Sequence, residues 1–196
     1  MLFLTNIRSV AKYESKILNR SWFFRIFAIL CILFLSVFNG AMTLGDGNVI
    51  WLLKAIPANL PYINLLFMNT GQAVVAIFLA SDFLKRDKKL DTSEVFYVHP
   101  LSNAEYVFGK IWGNLRAFLF LNLIVMGICL IFNSLASGAT IDILAYIAYF
   151  LLISIPTLIF IIGLSVFLML IFKNQALTFI VLLGYIGLTI FYIGDK

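Results

Sequence analysis

Five apolar segments limit what this chain can fold into. They cover roughly residues 22–38, 60–84, 111–132, 141–172 and 176–193, and none holds more than one charged residue. A helix needs about 20 residues to cross the hydrocarbon core of a bilayer. The first and last segments are near that minimum. The fourth exceeds one upright span and contains Pro156, so it is expected to tilt, kink or extend beyond the bilayer. A soluble domain cannot cover a sequence that is 63% apolar and only 12% charged, because its surface must be largely polar. The expected class is an all-α, polytopic transmembrane bundle forming a single domain over residues 1–196.

Lysine and arginine set the expected orientation. The first 25 residues hold Arg8, Lys12, Lys16, Arg20 and Arg25, whereas the following loop, about 39–59, holds only Lys54. The connector 85–110 holds Lys85, Arg86, Lys88, Lys89 and Lys110. The loop 133–140 has no basic residue, and Lys173 marks the next one. The alternation predicts a multi-pass protein of the cell's inner membrane, with the N-terminus, the connector and Lys173 in the cytoplasm. The net charge of +5 is no nucleic-acid signature, since the basic residues fall in two blocks beside apolar spans and suit an anionic leaflet. Cys31 and Cys129 lie inside apolar runs without metal-ligand or disulfide spacing, and read as small core or lipid-facing residues.

At 100° per residue, 4–20 reads as an amphipathic interfacial helix. Leu4, Ile7, Val10, Ala11, Ile17 and Leu18 share one face; Arg8, Lys12, Lys16 and Arg20 share the other. Glu14 falls in the middle of the apolar face, where a carboxylate needs a partner or becomes neutral. Arg25, about three turns along if the helices are continuous, is a candidate partner. Its alternative is to snorkel to the lipid headgroups.

The connector carries two helix starts. Asp91 precedes Thr92, Ser93 and Glu94, which predicts a short helix over 92–98 bearing Val95, Phe96, Tyr97 and Val98. Pro100 ends it, and His99 before the proline is pushed to an extended conformation. Two turns of helix are unstable alone, so this helix docks on something, either its own bundle and headgroups or a cytoplasmic partner. Ser102 to Glu105 form a second capping box, predicted to start a helix that runs through Tyr106 and Lys110 into the third span. His99 has no second His or Cys near it, and reads as solvated or interfacial.

The second span holds Asn64, Asn69, Thr70, Gln72, Ser81 and Asp82. Asn69 and Gln72 are three apart and face the same way. These residues read either as hydrogen-bonding contacts between helices or as the lining of a translocation path. Asp82, beside Lys85 and Arg86, is expected at the inner interface. Gly184 and Gly187 allow close approach of the last helix to another. The chain has no G-x-x-x-x-G-K-[ST] loop, no H-E-x-x-H helix and no paired intramembrane carboxylates. No catalytic residue, metal or cofactor is expected of it.

Two stretches carry a family resemblance: Asp-Phe-Leu-Lys-Arg-Asp-Lys-Lys-Leu-Asp at 82–91, and Pro-Leu-Ser-Asn-Ala-Glu-Tyr-Val-Phe-Gly-Lys at 100–110. With the N-terminal amphipathic helix and the polar-dotted second span, the layout resembles the membrane subunit of type-2 ATP-binding-cassette (ABC) transporters, the exporter-like permeases. The phrase around Pro100 to Tyr106 is the most specific part, and the layout covers nearly the whole chain. The resemblance implies an elbow helix over 7–20 and a coupling helix seated on a separate ATPase. Asp91, Thr92, Glu94, Val95, Phe96, Tyr97, Val98 and His99 would form that docking surface. It also implies a second permease half, identical or different, and alternating access powered by the ATPase. The high aromatic content and an expected absence of buried charge pairs lean toward a hydrophobic or amphiphilic cargo, although twenty Phe residues are also ordinary lipid contact. Such permeases carry six spans per half and five are read here, which departs from the pattern and fits a truncated gene, a split subunit or a fragment of a longer permease. The reading from another class is a membrane scaffold or anchor that recruits a cytoplasmic protein through the same connector.

Overall fold

A computed structural model describes residues 2–44, 58–89, 102–135, 141–189 and 191, with side chains for all of these except 2, 44 and 80–89. Every regular element among the described residues is helical, so the fold is the all-α bundle the apolar segments require. We number the helices α1 (Leu2–Arg20), α2 (Trp22–Leu44), α3 (Asn59–Lys89), α4 (Asn103–Leu135), α5 (Ile143–Phe172) and α6 (Gln175–Leu188). Four stretches are long and apolar enough to cross a membrane: Trp22–Thr43, Asn59–Leu79, Asn103–Leu135 and Ile143–Phe172. The chain is a membrane protein.

The helices outrun the predicted spans for local reasons. α2 continues past Phe38 because its polar residues bond within the helix. Asn39 donates to the Leu35 carbonyl at 2.7 Å, and Thr43 donates to the Asn39 carbonyl at 2.7 Å. α3 tolerates Pro61 in its first turn, where an N–H has no helical partner to lose. It then continues through Lys89, so the predicted connector begins as helix. α4 starts at the predicted capping box and its 33 residues reach about 50 Å, well beyond a hydrocarbon core. The last predicted span, 176–193, runs past the described residues: α6 covers Gln175–Leu188, and residues 190, 192 and 193 lie outside them.

The expected disturbance near Pro156 is a π-helical segment, Phe150–Ser154, inside α5. Pro156 has no N–H for Leu152, and its ring crowds that carbonyl. The wider π turn falls on that residue, with the Ile155 N–H bonded to the Phe150 carbonyl. α5 and α6 are joined by a tight turn. Lys173 takes the left-handed conformation (φ 51°), and the Asn174 side chain caps α6 by accepting from the Ala176 N–H at 3.0 Å.

The chain forms two compact units, and α1, α3, α4 and α5 contribute to both. The first comprises Met1–Ile17, Ala73–Leu115 and Ile159–Lys196. Its core holds Ala76, Ile77, Leu115, Ile162, Val166 and Leu182. Ser165 donates to the Ile77 carbonyl at 3.2 Å, tying α5 to α3, and the rings of Phe78 and Phe179 meet edge-on at 5.9 Å. The second unit comprises Leu18–Gln72 and Arg116–Leu158. Leu60, Leu65, Met126, Cys129 and Tyr146 cluster there, with Met42 and Tyr149 packed against them. Phe24 meets Phe118 edge-on at 5.3 Å, and Phe34 and Phe38 both pack on Phe67. Such ring pairs contribute about 0.5–1.5 kcal/mol each beyond their buried area. Trp22, Ile29, Leu30, Leu33 and Val37 stay exposed on α2, as on a lipid-facing helix.

Candidate functional site

In the first unit, α1 is seated on the beginning of α4. The seat starts at the capping box. The Ser102 hydroxyl accepts the Glu105 N–H at 3.2 Å, and Glu105 Oε2 accepts the Ser102 N–H at 2.8 Å. The other carboxylate oxygen of Glu105 accepts from Asn6 Nδ2 of α1 at 3.3 Å. One turn on, a Cβ at Gly109 would lie 2.6 Å from the Val10 Cβ and 3.1 Å from the Ile7 carbonyl oxygen. A Cβ at Gly113 would lie 2.8 Å from both the Ala11 carbonyl oxygen and the Glu14 Cβ. Only glycine allows backbones this close, which is how the small-x-x-x-small pattern works between membrane helices.

The close approach buries Glu14. Its carboxylate lies 3.6 Å from the Lys110 ammonium, with both side chains no more than 5% exposed. Lys110 also sits 4.9 Å over the Tyr106 ring. The misfit on the apolar face is therefore resolved by Lys110, not by Arg25, and the expected absence of buried charge pairs does not hold. Helix continuity, which a pairing with Arg25 required, is broken at Ser21, between the end of α1 and the start of α2, and Arg25 Nε donates instead to the Asn19 carbonyl at 2.9 Å. The rest of α1 follows the predicted pattern. Ala11, Glu14 and Leu18 are buried at helical spacing, while Arg8, Lys12, Lys16 and Arg20 are exposed. Leu4 departs from it, being 72% exposed.

The second unit holds two levels of buried polar side chains. At the first, Asn39 and Asn64 exchange amide hydrogen bonds: Asn39 Nδ2 donates at 2.7 Å and Asn64 Nδ2 at 3.0 Å. Asn64 also donates to the Leu60 carbonyl at 2.9 Å and lies 3.3 Å from Cys129 Sγ. Cys129 Sγ in turn lies 3.4 Å from the Tyr146 hydroxyl, which accepts from Asn133 Nδ2 at 3.2 Å. One polar chain thus ties α2, α3, α4 and α5.

The second level contains Asn69, Gln72, Asn122 and Ser154. Gln72 Nε2 donates to Asn69 Oδ1, which also accepts from the Ser154 hydroxyl at 3.2 Å. Ser154 closes the π-helical segment. Asn122 reaches this height by register. Along α2, Asn39 and Gly40 meet Asn64 and Phe132, while Phe27 meets Gly71 and Phe118. α3 therefore runs opposite to α2 and α4 runs with it, which puts Asn122, one turn beyond Phe118, level with 69–72. Gln72 and Asn122 are 0% exposed and Asn69 is 6% exposed. Asn69 Nδ2, Gln72 Oε1 and both amide atoms of Asn122 have no hydrogen-bond partner. Asn114 Nδ2 in the first unit shares that state.

Of the predicted site residues, the exposed cations of α1, Glu14, Asn64, Asn69 and Gln72 are placed as described. Asp82 lies on α3, but its side chain is outside the described residues. Asp91, Thr92, Glu94, Val95, Phe96, Tyr97, Val98 and His99 all lie outside the described residues. Among the described residues, nothing lies within 4 Å of a Cβ at Gly184 or Gly187, so no described helix of this chain approaches closely there. Sequence reasoning missed Lys110, Gly109 and Gly113 as one unit, although the Gly-Lys-x-x-Gly spacing was readable. It also missed Asn39, Asn122 and Ser154. Among the described residues, no group of three or more His, Cys, Asp or Glu side chains could hold a metal. Compared with family models, with curated proteins and with solved structures, the chain matches none of them.

Proposed function

We propose that this chain is the membrane subunit of an ABC transporter of the exporter-like, type-2 class. It sits in the cell's inner membrane with its N-terminus and the 85–110 connector in the cytoplasm, and a separate ATPase docks on residues 91–99. A second permease half, identical or different, completes the translocation path. The observation that carries the reading is the seat of α1 on α4. α4 starts at the capping box inside the connector, just after residues 91–99, and in its first three turns α1 is fixed to it by Asn6, by the glycine seam and by the Glu14–Lys110 pair. A push delivered to the connector reaches α4 and the elbow as one piece. Cations on the outer face of α1 suit the phosphates of the headgroup layer.

The test is co-purification of an ABC ATPase with the tagged full chain from its own membranes. Phe96→Glu with Tyr97→Glu is expected to abolish that association while the chain stays inserted at normal levels. Retention of the ATPase by this variant defeats the proposal. A cysteine placed in the connector is expected to stay unlabelled by an impermeant thiol reagent added to intact cells.

A further inference from the structure

We propose that the end of the second unit bearing Arg20, Arg25 and Arg116 is a docking surface for anionic phospholipid, with Asp142 at the opposite face of the same bilayer. This holds apart from the transporter reading. The first support is where the charges fall. Among the described residues of this unit, the charged side chains are Arg20, Arg25, Arg116 and Asp142, all exposed. The runs 26–44, 58–72, 117–135 and 143–158 hold none. Contacts fix the levels. Phe24 and Phe27, on either side of Arg25, both meet the ring of Phe118, which follows Arg116 within a turn. A Cβ at Gly40 would touch Phe132, so α2 and α4 run the same way from that end. Arg25 Nε donates to the Asn19 carbonyl, which holds the end of α1, and Arg20 with it, at this level. Asp142 belongs to the far end, because Tyr146, one turn into α5, accepts from Asn133 Nδ2. From Arg116 to Asn133, and one turn beyond it to Asp142, is about 30 Å at 1.5 Å per residue, the thickness of a hydrocarbon core.

The second support is the surface beside the arginines. Trp22 is 75% exposed, and an exposed tryptophan at the end of a span suits the headgroup layer. Toward the middle of the bilayer, Arg25 is followed by exposed Ile26 and Leu30, and Arg116 by exposed Phe120 and Leu123. A nucleic acid or an acidic protein would cover the arginines and leave this apolar surface bare. A phospholipid covers both, with its phosphate on the guanidinium groups and its acyl chains along the helices. The net charge of the lipid follows from the same census. Among the described residues of this unit no acid lies at the arginine level, so a headgroup carrying its own cation repeats the excess, whereas a net negative one offsets it.

The experiment uses the full chain with Trp51→Phe and Trp112→Phe, which leaves Trp22 as its one tryptophan. The protein is placed in vesicles of phosphatidylcholine mixed with phosphatidylglycerol, one of the two lipids carrying bromine on its acyl chains, and quenching of Trp22 fluorescence reads which lipid sits beside it. Brominated phosphatidylglycerol is expected to quench more than brominated phosphatidylcholine, at a relative affinity of roughly fivefold. Bromine near the glycerol is expected to quench more than bromine at the chain ends. Arg25→Gln with Arg116→Gln is expected to bring the preference below about twofold, and Arg25→Lys with Arg116→Lys to keep it. Asp142→Asn, which can still cap α5 and lies at the other level, is expected to leave it unchanged. Equal quenching by the two lipids, a full preference in the glutamine variant, or stronger quenching from the chain ends overturns the proposal. The first and third of these are read without any arginine variant.

Discussion

The two polar levels of the second unit are built from the same residue types and reach opposite outcomes. At Asn39 and Asn64 each amide meets the other, and Cys129, Tyr146 and Asn133 extend the chain across four helices. About 10 Å further along α3, given 1.5 Å per residue, Asn69 and Gln72 satisfy each other only in part, and Asn122 satisfies nothing. Between membrane helices there is little hydrophobic drive, so paired amides are a direct source of cohesion. Unpaired ones are a cost that the fold carries without return. The first level therefore holds the bundle together, and the second adds little to that cohesion.

The sharpest way to break this contrast is Asn64→Leu. It strands Asn39 Oδ1 and removes the link toward Cys129, so we expect a loss of about 2–3 kcal/mol. Unfolding in mixed micelles, followed by circular dichroism, would measure it. A loss below a few tenths would mean that the paired level is not the source of cohesion. Adding Asn39→Leu to Asn64→Leu removes the stranded amide together with its cause. The double variant is expected to recover about 1 kcal/mol relative to Asn64→Leu alone. Plain additivity of the two single losses would show that the amides do not act as a pair.

The sequence made the helices legible because twenty-residue apolar runs have few other solutions. It made the capping box at Ser102 legible too, because both reciprocal bonds are local. What it did not yield were relations between distant segments. Glu14 was recognisable as a misfit on the apolar face, but the lysine that answers it is 96 positions away on another helix. The choice between Arg25 and Lys110 turned on a helix break at Ser21 that residue type alone does not announce. The glycine seam was hidden by a different effect: Lys110 had already been accounted for as a basic residue flanking a span. Asn69 and Gln72 were singled out correctly as three apart on one face. Whether they would be paired depended on other helices, of which α5 supplies one bond through Ser154.

At the unpaired level, Asn122→Leu is expected to act in the opposite direction to Asn64→Leu. Leucine is close to asparagine in shape, and no bond within the chain is lost. Removing two buried, unpartnered atoms should stabilise the protein by about 1 kcal/mol, measured in the same mixed micelles. A loss similar to that of Asn64→Leu would erase the distinction between the two levels.

The smallest expected effect probes how the paired level is wired. Cys129 is the only described link between Asn64 and Tyr146, yet sulfur is a weak acceptor and a weak donor. Cys129→Ala leaves Asn64 with Asn39 and the Leu60 carbonyl, and leaves Tyr146 with Asn133. The cost should therefore be that of a small packing loss, about 0.5–1 kcal/mol. Cys129→Ser keeps the position polar and brings a stronger donor and acceptor in a smaller atom, so it should match the wild type or exceed it slightly. If Cys129→Ala instead cost as much as Asn64→Leu, the amide pair would be cohesive only through its sulfur link. The contrast between the levels would then rest on one thiol rather than on amide pairing.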